Sequence, residues 1–204
     1  MYILGISCYY HDSAAAIIKD GKVIAAAEEE RFTRKKHDSD FPIKAIEYCL
    51  KEAGITGEQI DYVGFYDKPM LKFERLLAQH LHAFPFSFKA FYKAMPEWIN
   101  KKIRVPREIR KKLKFKGEIF FGEHHLSHAA SSFLVSPYKE AAFLTVDGVG
   151  EWCTTAVGHA KGTDITITKE IHFPHSIGLI YSTVTAYLGM RVNNSEYKVM
   201  GLAP

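Results

Sequence analysis

Apolar and polar residues alternate in short blocks from the start of the chain. Residues 2–7 form an apolar run, His11-Asp12-Ser13 makes a polar turn, and residues 14–18 are apolar again. Asp20-Gly21 suits a two-residue hairpin, and residues 23–27 make a third apolar run. Links this short join antiparallel strands, because a parallel pair needs a crossover of about a dozen residues or more. After a charged loop at residues 28–36, Phe41-Pro42 opens a helix over 43–53. Ile46, Leu50 and Ala53 recur there at helical spacing, and Gly54 stops it. Residues 60–66 read as a fourth strand.

From Tyr66 to Phe115 the texture changes. Phe73, Phe84, Phe86, Phe88, Phe91, Tyr92 and Trp98 fall between Pro69, Pro85, Pro96 and Pro106. Such punctuation predicts short helices, and the aromatic residues are read as their core. Beyond it, residues 118–121 predict a strand leading into a helix at His124. Residues 141–146 predict a buried strand ending at Asp147-Gly148-Val149-Gly150. Strands at 152–158 and 165–171 flank Lys161-Gly162, and a helix over 176–188 ends at Gly189.

This order predicts an α/β fold: a ribonuclease-H-like lobe of the actin and sugar-kinase superfamily, with a mixed sheet and an inserted helical subdomain. On this reading residues 1–66 and 116–204 form the first lobe, residues 67–115 are the insertion, and a second lobe lies beyond the chain.

The 204 residues suffice for one sizeable core, and a charged fraction of 25% is that of an ordinary globular protein. No apolar run is long enough to span a bilayer, and no leader-like segment opens the chain, so a cytoplasmic protein without a membrane partner is expected. Cys8, Cys49 and Cys153 form no Cys-x-x-Cys and suggest neither a disulfide framework nor a thiolate metal site. The net charge of +4 is uneven: residues 101–116 hold nine Lys or Arg against the single acid Glu108. Such a block attracts phosphate, and it equally suits a solvated helix face.

Four groups of residues could carry chemistry. His124 and His128, four apart, place two imidazoles on one helix face, where they can close on one metal ion; His125 points elsewhere and Leu126 goes to the core side. His11, with Tyr9 and Asp12 on the same turn, could act as a general base, although Asp12 and Ser13 could instead satisfy turn amides. At Asp147-Gly148-Val149-Gly150, glycines let the backbone approach a phosphate, and an Asp-Gly hairpin explains the dipeptide as well. Ser176, with Gly178 behind it, opens a helix whose free amides favour an anion or need only a cap. Glu196 and Lys198, near Gly201, are substrate contacts or a surface ion pair.

Taken in order, these segments resemble a known family. Gly5-Ile6, His11-Asp12-Ser13-Ala14-Ala15 and the run from Glu28 to His37 are similar to the start of the carbamoyltransferases that modify nodulation factors and antibiotics. The stretches Glu123–Ser131, Val146–Glu151 and Ser195–Pro204 resemble that family's later motifs. The resemblance implies an actin-like domain, similar to the tRNA threonylcarbamoyl-transfer proteins, joined to a C-terminal carbamoyl-activating domain. The latter makes carbamoyl adenylate from ATP and carbamoyl phosphate. The former passes the carbamoyl group to a hydroxyl of a sugar or other small molecule.

By the same resemblance His124 and His128 are ligands of a divalent iron or zinc ion, and both metals suit paired imidazoles. Asp147, Gly148, Gly150, Ser176 and Gly178 contact the adenylate, with Asp147 alternatively on the metal side. His11 deprotonates the acceptor, and Tyr9, Asp12, Glu196 and Lys198 contact substrate. The family's third protein ligand, an Asp, is expected in the absent second lobe, so the chain alone is expected to be inactive. Two alternatives remain at this point. One is a nucleic-acid-binding module using the 101–116 block, whose place inside an insertion is not diagnostic, so that nucleic acid is not the expected partner. The other is a metal-dependent nucleotide-binding hydrolase or regulator.

Overall fold

Leu4 and Ile6 face inward from β1 (Tyr2–Ser7), and the same two-residue period organises the strands beside it. β2 (Ala14–Lys19) runs antiparallel to β1, with Leu4 opposite Ile17 and Ile6 opposite Ala15. β3 (Lys22–Glu28) pairs antiparallel with β2 across a turn in which Asp20 and Gly21 have φ of 49° and 80°. Two successive positive φ angles are what a type I′ hairpin requires, and Asp-Gly supplies them. On the other side of β1, β4 (Tyr62–Phe65) and β5 (Glu118–Phe121) are parallel, which gives the order β3-β2-β1-β4-β5. This is the ribonuclease-H-like sheet predicted from the element order.

The computed structural model describes residues 1–203. The chain divides into two compact units, Met1–Gly122 and a second beginning at Glu123. In the first, the charged loop contains one helical turn, α1 (Glu30–Thr33), where a loop was expected. α2 (Ile43–Ala53) buries Ala45, Ile46 and Cys49 against the sheet and ends at Gly54 with φ 67°. Pro42 offers no side-chain cap, and the buried carboxylate of Glu29 substitutes. It accepts from the amides of Lys44 and Ala45 at 3.2 and 2.8 Å.

The stretch expected to be an insertion behaves as two things. α3 (Pro69–His82), α4 (Phe88–Asn100) and the link between them do carry aromatic residues, but these are not a core. Phe84, Phe86, Phe88 and Tyr92 are 58–95% exposed, and packing is confined to contacts such as Phe73–Trp98 and His80–Phe91 at 5.8 and 5.1 Å. α5 (Val105–Leu113), by contrast, belongs to the lobe. Val105, Ile109 and Leu113, spaced by four, lie in one core with Leu4, Ile17, Ile46 and Val63. The parallel pair β4–β5 needs a crossover, and α5 is the part of it that covers the sheet. Two of its basic residues have local partners: Arg110 donates to the Gly117 carbonyl, and Lys112 stands 4.5 Å over the Phe41 ring.

The second unit has a sheet of its own. α6 (His124–Phe133) precedes β6 (Glu140–Val146), β7 (Cys153–Lys161) and β8 (Asp164–His172), which form an antiparallel sheet of their own in the order β6-β7-β8. A continuous register from Glu140 opposite Lys161 to Val146 opposite Thr155 commits β6 to β7. α7 (Ile177–Tyr187) and α8 (Glu196–Leu202) follow. Each unit thus carries a three-strand meander followed by a helix. Among the described residues no helix is long and apolar enough to cross a membrane.

Burial of Ile109 inside a basic helix is testable. Ile109→Ala should lower the unfolding free energy of the first unit by about 2–5 kcal/mol, and Lys111→Ala by less than about 0.5 kcal/mol. Urea denaturation followed by circular dichroism measures both, and equal effects would show that α5 is not part of the core.

Candidate functional site

The backbone enters α6 through Glu123 in extended geometry, leaving the first helical amides without intrahelical acceptors. Glu151, 6% exposed, receives the His124 N–H on both carboxylate oxygens at 3.2 and 3.1 Å. Its negative charge lies at the positive end of the helix, which is the favourable placement. One turn on, His128 brings its Nε2 to 3.1 Å from His124 Nε2. Asp147, at the end of β6, places Oδ2 2.6 Å from His124 Nε2 and 3.5 Å from His128 Nε2. Hydrogen bonds from His124 and then His128 outweigh desolvation and hold the Asp147 carboxyl well below the ordinary carboxylate range.

Three donor atoms therefore converge: the two imidazoles expected as ligands and Asp147, which the resemblance put at the adenylate or on the metal side. Ligands about 2.1 Å from a common ion stand roughly 3.0 Å apart in octahedral and about 3.4 Å apart in tetrahedral geometry. The 3.1 and 3.5 Å separations lie close to those values, the 2.6 Å contact of Asp147 with His124 is a direct hydrogen bond that an ion would have to open, and two imidazoles with one carboxylate suit iron(II) or zinc.

The glycines expected to cradle phosphate are engaged within the protein. The Gly148 amide donates to Asp147 Oδ1 at 2.6 Å and the Gly150 amide to the Cys153 carbonyl at 2.9 Å. A Cβ on Gly150 would stand 3.0 Å from His124 Cβ, and one on Gly178 would stand 2.4 Å from the Asp147 carbonyl oxygen. Ser176 caps α7 by accepting from the Leu179 amide at 3.0 Å, and its hydroxyl lies 2.7 Å from the Gly148 carbonyl. These four positions clamp the Asp147 turn against α6 and α7. Their sequence signal, small residues beside a catalytic-looking Asp, reads the same for packing as for phosphate.

His125 is fully buried and faces the sheet, while Leu126 is only half-buried. Its Nε2 lies 3.0 Å from the Cys153 carbonyl, which can only accept, so Nε2 carries the proton and Nδ1 accepts from the Thr145 hydroxyl at 2.7 Å. Burial pushes its pKa below the ordinary 6.5.

The first unit holds the predicted residues Tyr9, His11 and Asp12. His11 Nδ1 is 2.8 Å from Asp12 Oδ2, and the opposite oxygen, Oδ1, meets His37 Nδ1 at 2.9 Å. Burial of Asp12 acts to raise its pKa, and the bonds from His37 and His11 overcome this and leave it lowered. Tyr9, at φ 67°, donates its amide to the Ser39 carbonyl, and burial pushes its phenol up. In the second unit, Glu196 accepts from the Asn193 amide at 2.8 Å, and Lys198 Nζ stands 5.9 Å over the Tyr197 ring. Glu151 and His37 are the residues that sequence reasoning left out. Both lie inside segments already singled out, without a spacing rule to mark them.

The family profile described as Carbamoyltransferase N-terminus matches residues 2–204. The chain is 52% identical to the uncharacterized protein sll1178 of Synechocystis sp., over 100% of this chain and 34% of that one. It is 34% identical to the nodulation protein NolNO of Sinorhizobium fredii, over 96% of this chain and 28% of that one. It thus spans about a third of the length of these relatives. Among solved structures, YeaZ from Pseudomonas aeruginosa overlaps with a TM-score of 0.44 and 13% identity, covering 85% of this chain and 66% of that one.

Gly178→Ala should destabilise the second unit by about 1–3 kcal/mol, because its neighbour is backbone and cannot rotate away. Ala at Gly148, where the nearest atom would be a Leu179 methyl at 3.6 Å, should cost less, and thermal denaturation compares the two. His125 supplies a pH signature. Its folded pKa is depressed, so its contribution is complete above 6.5 and is lost as pH falls further, where the unfolded chain binds more protons. Urea midpoints measured from pH 7.5 down to about 5 should decline through that window, and His125→Gln should flatten the decline.

Proposed function

The chain belongs to the family of carbamoyltransferase amino-terminal domains, and from that premise we propose that it is the transfer part of an O-carbamoyltransferase. In this reading a carbamoyl group passes from carbamoyl adenylate to a hydroxyl of a sugar or other small molecule. The adenylate is made from ATP and carbamoyl phosphate by an activating domain outside these residues. The observation that carries the reading is the convergence of His124, His128 and Asp147, with donor separations of 2.6–3.5 Å. Those three residues would hold a divalent iron or zinc ion, which when bound polarises the carbamoyl carbonyl.

The remaining work falls to the chain's own groups. The acceptor oxygen bonds to the carbamoyl carbon while the bond from that carbon to the adenylate phosphate oxygen breaks, and AMP leaves with the electron pair. The acceptor proton passes to His11. The ionised Asp12 accepts from His11 Nδ1–H, which leaves Nε2 with the lone pair a base needs. Glu151 fixes the first turn of α6 and hence the direction of the His124 ring. The nucleic-acid alternative has less support, since α5 turns its apolar residues inward and Arg110 and Lys112 are engaged locally.

Carbamoyl transfer measured in the complete protein tests the reading. His11→Asn should lower turnover by about 10²–10⁴-fold while bound metal is retained. Asp147→Asn or His128→Ala should weaken divalent-ion binding by at least about tenfold, read by calorimetry. Unchanged transfer in all three variants would remove the proposal.

A further inference from the structure

Two loops of the first unit are joined along their backbones. The Tyr9 amide donates to the Ser39 carbonyl and the Ser13 amide to the Asp38 carbonyl, both at 2.7 Å. The turn that carries His11 and Asp12 is thus bonded at both ends to the loop that carries His37. Glu30 fastens that loop on the other side, its Oε2 accepting the His37 amide at 2.9 Å. The Asp38 carboxylate is in turn held by the Thr33 hydroxyl at 2.9 Å and the Asp40 amide at 3.1 Å.

Between these loops one carboxylate serves two imidazoles. Asp12 Oδ2 meets His11 Nδ1 and Oδ1 meets His37 Nδ1. An ionised carboxylate only accepts, so both Nδ1 atoms carry protons, and in the neutral ring of His11 the Nε2 atom then presents its lone pair. His37 is the more enclosed of the two: its side chain is 30% exposed and that of His11 49%. Asp12 has one rotatable bond that decides where its second oxygen points, and the bond to His37 sets it.

We propose that His37 is a positioning residue for carbamoyl transfer: it locks the Asp12 carboxylate so that the remaining oxygen holds His11 in the Nδ1–H form, with Nε2 free to take the acceptor proton. The proposal rests on His11 being the base. Asn is the informative replacement, because its amide nitrogen occupies nearly the place of an imidazole Nδ1, whereas Leu keeps bulk and loses the donor.

The test is histidine-selective ¹⁵N labelling of the chain, with side-chain correlation spectra that report which ring nitrogen is protonated. In the unaltered protein His11 and His37 should both show the Nδ1–H form. His37→Leu should move His11 toward a mixture dominated by Nε2–H, and His37→Asn should keep it in place. In the complete protein His37→Leu should lower kcat by between about ten- and a hundredfold with KM little changed, and His37→Asn should restore most of it. A His11 tautomer that does not respond to His37→Leu, in a chain whose other histidine signals are unmoved, would overturn the inference. If Leu proves too disruptive, loss of the Nδ1–H form in His37→Asn overturns it equally. A tautomer that responds while turnover stays constant would uphold the positioning contact and instead refute His11 as the base.

Discussion

Asp147 reaches His124 because nothing larger than hydrogen stands at positions 150 and 178. A methyl group at either glycine would meet His124 Cβ at 3.0 Å or the Asp147 carbonyl at 2.4 Å. The carboxylate could then no longer approach the imidazole to 2.6 Å. Around this constraint the rest of the second unit falls into place. Glu151 holds the first amide of α6, His125 pins the same helix to β6 and β7 through Thr145 and Cys153, and Ser176 joins the start of α7 to the turn. Each of these polar side chains is buried and hydrogen-bonded, the condition under which buried polarity orients a site.

Much of the fold was legible because the local signals are strong. Asp20-Gly21 forms the hairpin, Gly54 and Gly189 take positive φ where the helices end, and Ser176 caps α7 as its position suggested. What periodicity could not decide was which strands pair. Residues 141–146 read as one more buried strand, whereas Thr145 alone is buried there and hydrogen bonding to β7 makes them the start of a separate sheet. α5 was obscured by composition: its basic residues drew attention away from Val105, Ile109 and Leu113, whose spacing alone marks a core face. The aromatic residues of α3, α4 and the link between them show the converse error, since hydrophobic character did not imply burial at Phe86 in that link, which is 95% exposed.

The site was legible in part. The spacing of four between His124 and His128 correctly put both rings on one side of a helix, with His125 turned away. Asp147 had been placed near them on resemblance, and its contact depends on a strand end meeting a helix, which no spacing within either element encodes. The same holds for His37 and Asp12, which are 25 residues apart and brought together by backbone bonds between two loops. The glycines beside Asp147 were read as a bed for a ligand. Their amides are taken by Asp147 Oδ1 and the Cys153 carbonyl, which makes them part of the frame.

The seat of α7 on the Asp147 turn has a mechanical consequence. The Tyr181 hydroxyl, midway along that helix, donates to the Glu196 carbonyl at 2.6 Å, so α8 is tied to α7 just as α7 is tied to the turn. Gly178 lies so close to the backbone of Asp147 that even a Cβ would not fit between them. One end of α7 therefore rests on the turn whose carboxylate meets the imidazole pair, and the other carries the exposed Tyr187, so that α8, α7 and the turn form one connected chain of contacts.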